Sequence, residues 1–147
     1  MMAAPYLAIA LLVVGGCADA QPQFTETMVL GGKEVSAEVL NQGQRKFALY
    51  CASCHGADGS GQGAAARSLQ TKPRDFRQAD FKYKSTEGDA LPTDEDLAQT
   101  ILMGRIETGM PAWNGLTAED RDAVIHYIKT FSPRWQQAKP EAEAPQP

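Results

Sequence analysis

The chain has 147 residues, 7% of them aromatic, with two histidines, three cysteines and a formal net charge of −4 at neutral pH. That length holds one small domain plus its ends, and three cysteines are too few for a disulfide framework. With an acidic balance and no basic stripe or reading motif, nucleic-acid binding is excluded as a function class.

In chain order, Tyr6 to Val14 is an apolar run too short to cross a bilayer but of the right length for a signal-peptide core. It ends in Val14-Gly15-Gly16-Cys17, a branched apolar residue, two small residues and a cysteine, which has the form of a bacterial lipobox. Residues 1–16 are therefore expected to be a signal peptide, and Cys17 a lipidated residue that holds the chain on a membrane. A lone extra cysteine in an exported chain asks for such a role. No Lys or Arg precedes Cys17, and plain cleavage after Ala18 or Ala20 is the other reading. Residues 17–35 show no sustained periodicity and are expected to be a tether, with Met28 exposed within it.

Ser36 is a plausible N-cap for a first helix running through Leu40 to Tyr50. Val39, Gly43 and Phe47 recur every four residues and share a face. A glycine costs about 1 kcal/mol inside a helix, and a close helix crossing would justify it. The helix leads into Cys51-Ala52-Ser53-Cys54-His55. Two cysteines three apart on a turn of helix can each bond one of the two vinyl groups of a haem. The next histidine then reaches the iron, so the spacing reads as a c-type haem attachment site. A redox disulfide would want a βαβ context. A structural zinc site would want two further ligands, and only Cys17 and His126 remain, at the wrong spacing. The glycines of residues 56–63 lack the Lys-Ser or Lys-Thr and the preceding strand of a phosphate loop. They read as the tight turn after the histidine.

Arg67, Lys72, Arg74, Arg77, Lys82 and Lys84 cluster next, followed by Glu87, Asp89, Asp94, Glu95 and Asp96. Two solvated faces and a docking dipole for a protein partner are both open readings. Thr93, with Asp96 three residues on, starts a second helix that turns Leu97 and Ile101 inward and ends at Gly104. Met103, at its end, reads as a core gap-filler. Thr117, with Asp120 three along, starts a third helix carrying Ala123, Val124, Tyr127, Ile128 and Phe131, which Pro133 stops. His126 lies off that face and is expected in solvent. No run alternates long enough for a strand. Residues 137–147, rich in Pro, Ala and Glu without a large apolar group, are expected to be a disordered tail, leaving residues 36–136 as the domain.

Between Leu40 and Ser132 the chain resembles the class I c-type cytochromes. The resemblance rests on Gly43 to Tyr50, the haem motif with His55-Gly56-Ala57-Asp58-Gly59, Lys72-Pro73-Arg74-Asp75-Phe76, Gly109-Met110-Pro111-Ala112-Trp113, and Tyr127-Ile128-Lys129. It implies a small all-α fold in which N- and C-terminal helices cross, with Gly43 and Phe47 meeting Val124 and Tyr127. It also implies a methionine as second axial ligand, which Gly109-Met110-Pro111 supplies, beside Trp113. A backbone carbonyl of the Pro73-Arg74 segment is expected to accept the His55 Nδ1 hydrogen, and Arg74 to neutralise a haem propionate. The implied site is Cys51, Cys54, His55, Met110, Pro73, Arg74 and Trp113 around one haem c, with His55 and Met110 on the iron and no catalytic side chain. The implied protein is an exported single-electron carrier of the periplasm, or a cytochrome subunit of a larger oxidoreductase, with redox proteins as partners and no small-molecule substrate. A haem peroxidase or gas sensor with a displaceable Met110 is the competing class.

Overall fold

The Ser36 hydroxyl accepts the Val39 amide at 3.4 Å and so starts helix α1 (Ala37–Tyr50). This is a computed structural model describing residues 23–137; the expected signal peptide, Cys17 and all but Gln137 of the expected tail lie outside the described residues. One turn, α2 (Ala52–His55), follows α1 directly. Then come α3 (Asp94–Met103), α4 (Ala118–Lys129) and α5 (Pro133–Gln137). Thr93 and Asp96 form a reciprocal capping box on α3, which Gly104 ends. On α4 the Thr117 hydroxyl takes the Asp120 amide at 3.1 Å, while the Asp120 carboxylate reaches across to Gln42 and Lys46 of α1.

α1 and α4 cross at Gly43. A Cβ there would lie 2.0 Å from the Ala123 carbonyl oxygen and 2.8 Å from the Tyr127 Cβ, so only glycine allows the backbones this close. Leu40, Gly43 and Phe47 form the buried stripe of α1. The Phe47 ring meets Tyr127 edge-on at 5.3 Å and lies 5.4 Å from Phe131, a favourable aromatic arrangement. Leu97 and Ile101 of α3 face inward as expected.

Several expectations are corrected. Residues 17–35 were expected to hold no strand, yet β1 (Met28–Leu30) and β2 (Lys33–Val35) pair antiparallel, with Met28 opposite Val35. Runs of three residues are too short to display an alternating pattern. Leu30 and Val35 are buried, Met28 is half-buried, and the Gly31 amide donates to the Trp135 carbonyl at 2.7 Å. Asn41 clamps the Phe24 backbone through two 2.8 Å hydrogen bonds. Residues 24–35 therefore belong to the folded body. Pro133 does end the reach of α4, but it also opens α5, as proline does at a first helical position, and α5 buries Trp135. Met103 is 65% exposed rather than part of the core.

His126 is likewise buried, at 8% exposure, rather than solvated. The hairpin and α3 cover the side of α4 that sequence reasoning left to water. Its Nε2 lies 3.4 Å from Asp122, its Nδ1 has no hydrogen-bond partner, and burial holds its pKa below the ordinary value. Beside it, the buried Lys129 ammonium pairs with Asp94, which also takes Lys33 at 3.0 Å. Burial alone would raise the Asp94 carboxyl, but Lys129 and Lys33 outweigh it and hold its pKa below the usual carboxylate range. A depressed carboxyl contributes stability above its unfolded value, about 3.9, that is lost as pH falls through the lower folded value. His126, also depressed, begins to withdraw stability below about pH 6.5. Asp94→Asn strands the Lys129 charge and is expected to cost about 2 kcal/mol at pH 7, since Asp94 keeps some exposure and breaking a fully buried pair costs roughly 3–5 kcal/mol. Urea unfolding of the haem-loaded protein should show that loss at pH 7 and a shallower acid decline between about pH 5 and 3 than in wild type.

Candidate functional site

The crossed helices leave an apolar cavity of about 530 Å³ on the side of α1 where α2 begins, walled by Phe76, Phe81, Leu97, Ile101 and Ile128. All seven site residues expected from sequence line it: Cys51, Cys54, His55, Pro73, Arg74, Met110 and Trp113. His126 and Met103 do not.

The Cys-x-x-Cys-His stretch is wound into one turn because the amides of Cys54 and His55 both donate to the Cys51 carbonyl, at 3.1 and 2.9 Å. That turn keeps two thiols and an imidazole on one wall. Both cysteines are free, and burial, with Cys54 beside it, pushes the Cys51 thiol up to about 12. A thiol that stays protonated at neutral pH lacks the thiolate character of redox and zinc-binding cysteines. Among the described residues no group of three or more His, Cys, Asp or Glu is placed to hold a metal ion.

His55 is oriented from behind. Its Nδ1–H donates to the Arg74 carbonyl at 3.2 Å. A carbonyl can only accept, so Nδ1 carries the proton and Nε2 keeps its lone pair. Burial lowers the His55 pKa, against a smaller raising effect of that carbonyl, and favours the neutral imidazole. The Phe76 ring stacks on the imidazole at 4.5 Å, with planes 17° apart. The glycine turn allows the approach of the Pro73-Arg74 segment: Gly61 has φ +74°, and a Cβ there would lie 2.4 Å from the Pro73 carbonyl oxygen. The carbonyl that orients the imidazole thus belongs to Arg74, whose side chain lies 3.9 Å from Asp80.

Met110 sits on a loop closed by a two-way backbone bridge. The Arg105 amide donates to the Met110 carbonyl at 2.9 Å, and the Met110 amide donates to the Arg105 carbonyl at 3.2 Å. The Trp113 amide donates to the Ile101 carbonyl at 3.0 Å, and its ring packs 5.3 Å from Tyr50. Sequence reasoning missed Arg105 and Tyr83, which also line the cavity, because nothing local marks them. The charge clusters resolve in part: Asp94 and Asp96 are structural, and Arg77 is paired with Asp75 and Asp58.

The donor set fits a haem c: two thiols for two vinyl groups, an oriented imidazole, a soft thioether and apolar walls for a flat ring.

Residues 38–128 match the protein family described as cytochrome c oxidase, cbb3-type, subunit III. The chain is 36% identical over 73 residues to cytochrome c55X of Pseudomonas aeruginosa, a match covering 48% of this chain and 44% of that one. It is also similar to a chain of the Kuenenia stuttgartiensis reducing HAO-like protein complex Kustc0457/Kustc0458, with a TM-score of 0.66 and 38% identity, over 70% of this chain and 47% of that one. The chain thus spans about half the length of the relatives it matches. The family match runs from α1 through the motif and the Met110 loop to α4, so it covers the whole cavity wall. The chain belongs to this family of c-type cytochromes, and its cofactor is the covalent haem c of that family.

Proposed function

We propose that this cytochrome is a single-electron carrier of the periplasm, held on the membrane through a lipid on Cys17. In this reading Cys51 and Cys54 would hold the haem through two thioethers, and His55 and Met110 would hold its iron. When bound, the haem supplies storage of one reversible electron. The chain's residues do the rest. Arg74 lends its carbonyl to His55, Trp113 and Phe76 exclude water, and Pro73 stiffens the segment between. With His55 and Met110 both holding the iron, the protein would fill the places a substrate would need. The observation that carries the reading is the His55 Nδ1–Arg74 carbonyl bond, which leaves the other imidazole nitrogen free to ligate, in one cavity with Met110.

A second reading is a subunit fixed in a larger oxidoreductase. It is favoured by the similar solved chain, which belongs to a protein complex, and by Ile106, 84% exposed beside the Met110 loop.

One experiment tests attachment and anchoring together. The purified protein should stay red after denaturation and acid–acetone extraction, and intact mass should show one haem plus fatty acyl groups on a mature chain starting at Cys17. Cys54→Ala or His55→Ala should cut normal holoprotein at least tenfold, as loss of a ligand or thioether does to an assembled site (order of magnitude). Haem that washes out would overturn the attachment. A soluble periplasmic form whose mature N-terminus lies beyond Cys17 would overturn the anchor.

A further inference from the structure

Residues 80–92 hold no helix or strand, yet Phe81, Lys82 and Tyr83 from this stretch line the cavity. Its two ends are gathered by one side chain from the far end of the fold. Arg134 of α5 donates through Nη1 to the Ala79 carbonyl at 2.8 Å and through Nη2 to the Asp89 carbonyl. A loop of this size whose ends meet and whose own side chains fill it is an Ω-loop, a form that often carries function. The filling here is the Lys84 ammonium, which donates to the Thr86 and Gly88 carbonyls, both at 2.8 Å. The Thr86 hydroxyl adds a 3.0 Å bond to the Leu91 carbonyl.

Side chains also make the loop's other ties to the fold. Asp96 accepts the Ser85 amide and hydroxyl, both at 3.0 Å, and Glu107 accepts the Tyr83 hydroxyl at 3.1 Å. The Arg105 guanidinium lies 4.3 Å from the Tyr83 ring, and Phe81 meets Trp135 of α5 edge-on at 6.3 Å. The Arg74–Asp80 pair, 3.9 Å apart and exposed, adds little. Main-chain bonds in the loop are local ones, from Ala79 to Phe76 and from Ala90 to Glu87. Segments held this way, without a backbone ladder, are the first to open in a folded protein. Ala79 marks the hinge: its φ of +49° makes it the one non-glycine residue with positive φ among the described residues. That conformation is unfavourable for a residue with a Cβ and persists where the surroundings hold it. The bond from Arg134 to its carbonyl is such a hold.

Resting on the haem reading above, we propose that residues 80–90 are a flap over the cavity and that Arg134 is its latch. With the latch made, Phe81 and Tyr83 stay on the cavity wall and keep water out. With it broken, the wall parts on that side and water enters. Water beside a haem favours the ferric form, so the latch acts on the redox equilibrium. Arg134 does not itself line the cavity. It is a positioning residue that works through the loop.

The test compares wild type, Arg134→Gln and Arg134→Lys, each as haem-loaded protein. Residue-resolved hydrogen exchange reads the Ser85 and Ala90 amides inside the flap and the Gly31 amide, whose bond to the Trp135 carbonyl reports whether α5 stays docked. The reduction potential is read beside it. In wild type the two flap amides should exchange at least about tenfold faster than those of α4. Arg134→Gln should speed them about tenfold more, as loss of a charge-assisted hydrogen bond does, with Gly31 unchanged. Its redox equilibrium should move about threefold toward ferric. Arg134→Lys keeps the charge as a point donor that does not span both carbonyls, so its flap should exchange as in the glutamine variant. Wild-type flap amides as protected as those of α4 would overturn the proposal, and that arm decides alone if the variants do not accumulate. Equal acceleration of Gly31 would also overturn it, making Arg134 a prop for α5 only. So would a lysine variant that matches wild type, or faster flap exchange with the potential unmoved. Wild-type protein without covalent haem mass would instead bring down the haem reading, which the exchange arms do not rest on.

Discussion

Replacing Met110 by alanine is expected to abolish the near-infrared methionine-to-ferric charge-transfer band and to lower the reduction potential by a few tenths of a volt, a share of the roughly 0.8 V range that axial ligands span. A thioether is soft and uncharged, so it favours ferrous iron, and removing it favours ferric. The loop itself should survive, because its closure is made by the Arg105 and Met110 main chains and not by the methionine side chain. The lost ligand would open the iron to carbon monoxide and cyanide, which wild type should bind slowly. Met103→Ala is the control: Met103 is exposed and off the cavity, so neither band nor potential should move. Fast ligand binding by wild-type ferrous protein, with a high-spin spectrum, would favour a haem peroxidase or gas sensor over a carrier.

What the sequence made legible here is local geometry. Ser36, Thr93 and Thr117 each announce a helix start by a hydroxyl that meets a backbone amide three residues on, and all three helices begin there. The haem motif is legible for the same reason, since a single turn of backbone sets where its thiols and imidazole point. Gly43 is legible through its cost: a glycine in mid-helix demands a reason, and the reason is the Ala123 carbonyl.

What stayed hidden depends on contacts far apart in sequence. The helical period of α4 marks one apolar face, and reasoning from it assigns the other face to water. The hairpin turn at Gly31 and the N-terminus of α3 cover that face instead, burying His126 and Lys129. Trp135, which no local pattern marks, shows that the far side of the fold also packs, since its ring lies against Gly31 and 5.0 Å from the Lys129 ammonium. In the site, the orientation of His55 depends on which carbonyl of the Pro73-Arg74 segment faces it. That choice follows from how Gly61 nests against Pro73, a contact no spacing rule encodes. Arg105 escaped for a related reason, because its cue is the Tyr83 ring, which comes from a loop more than twenty residues earlier.

Gly43→Ala is expected to be the most damaging small substitution in the fold. Overpacking a well-filled contact costs about 1–3 kcal/mol when side chains can yield. At Gly43 the added methyl would meet main-chain atoms, the Ala123 carbonyl oxygen at 2.0 Å and its carbon at 2.6 Å, and no rotamer change relieves that. The helix-propensity gain of alanine over glycine, about 1 kcal/mol, acts the other way and is outweighed. A net loss of at least about 3 kcal/mol should lower the melting temperature of the haem-loaded protein by roughly 10 °C or more for a domain of this size. Because α1 carries Cys51 at its end and α4 carries Ile128 into the cavity wall, the same shift should also loosen the site and weaken the methionine band. Gly115→Ala provides the contrast, since a Cβ there meets nothing within 4 Å and the change should fall within about 1 kcal/mol of neutral. A Gly43→Ala protein melting within 2–3 °C of wild type, roughly 1 kcal/mol or less, would show that α1 and α4 do not cross as closely as this geometry requires.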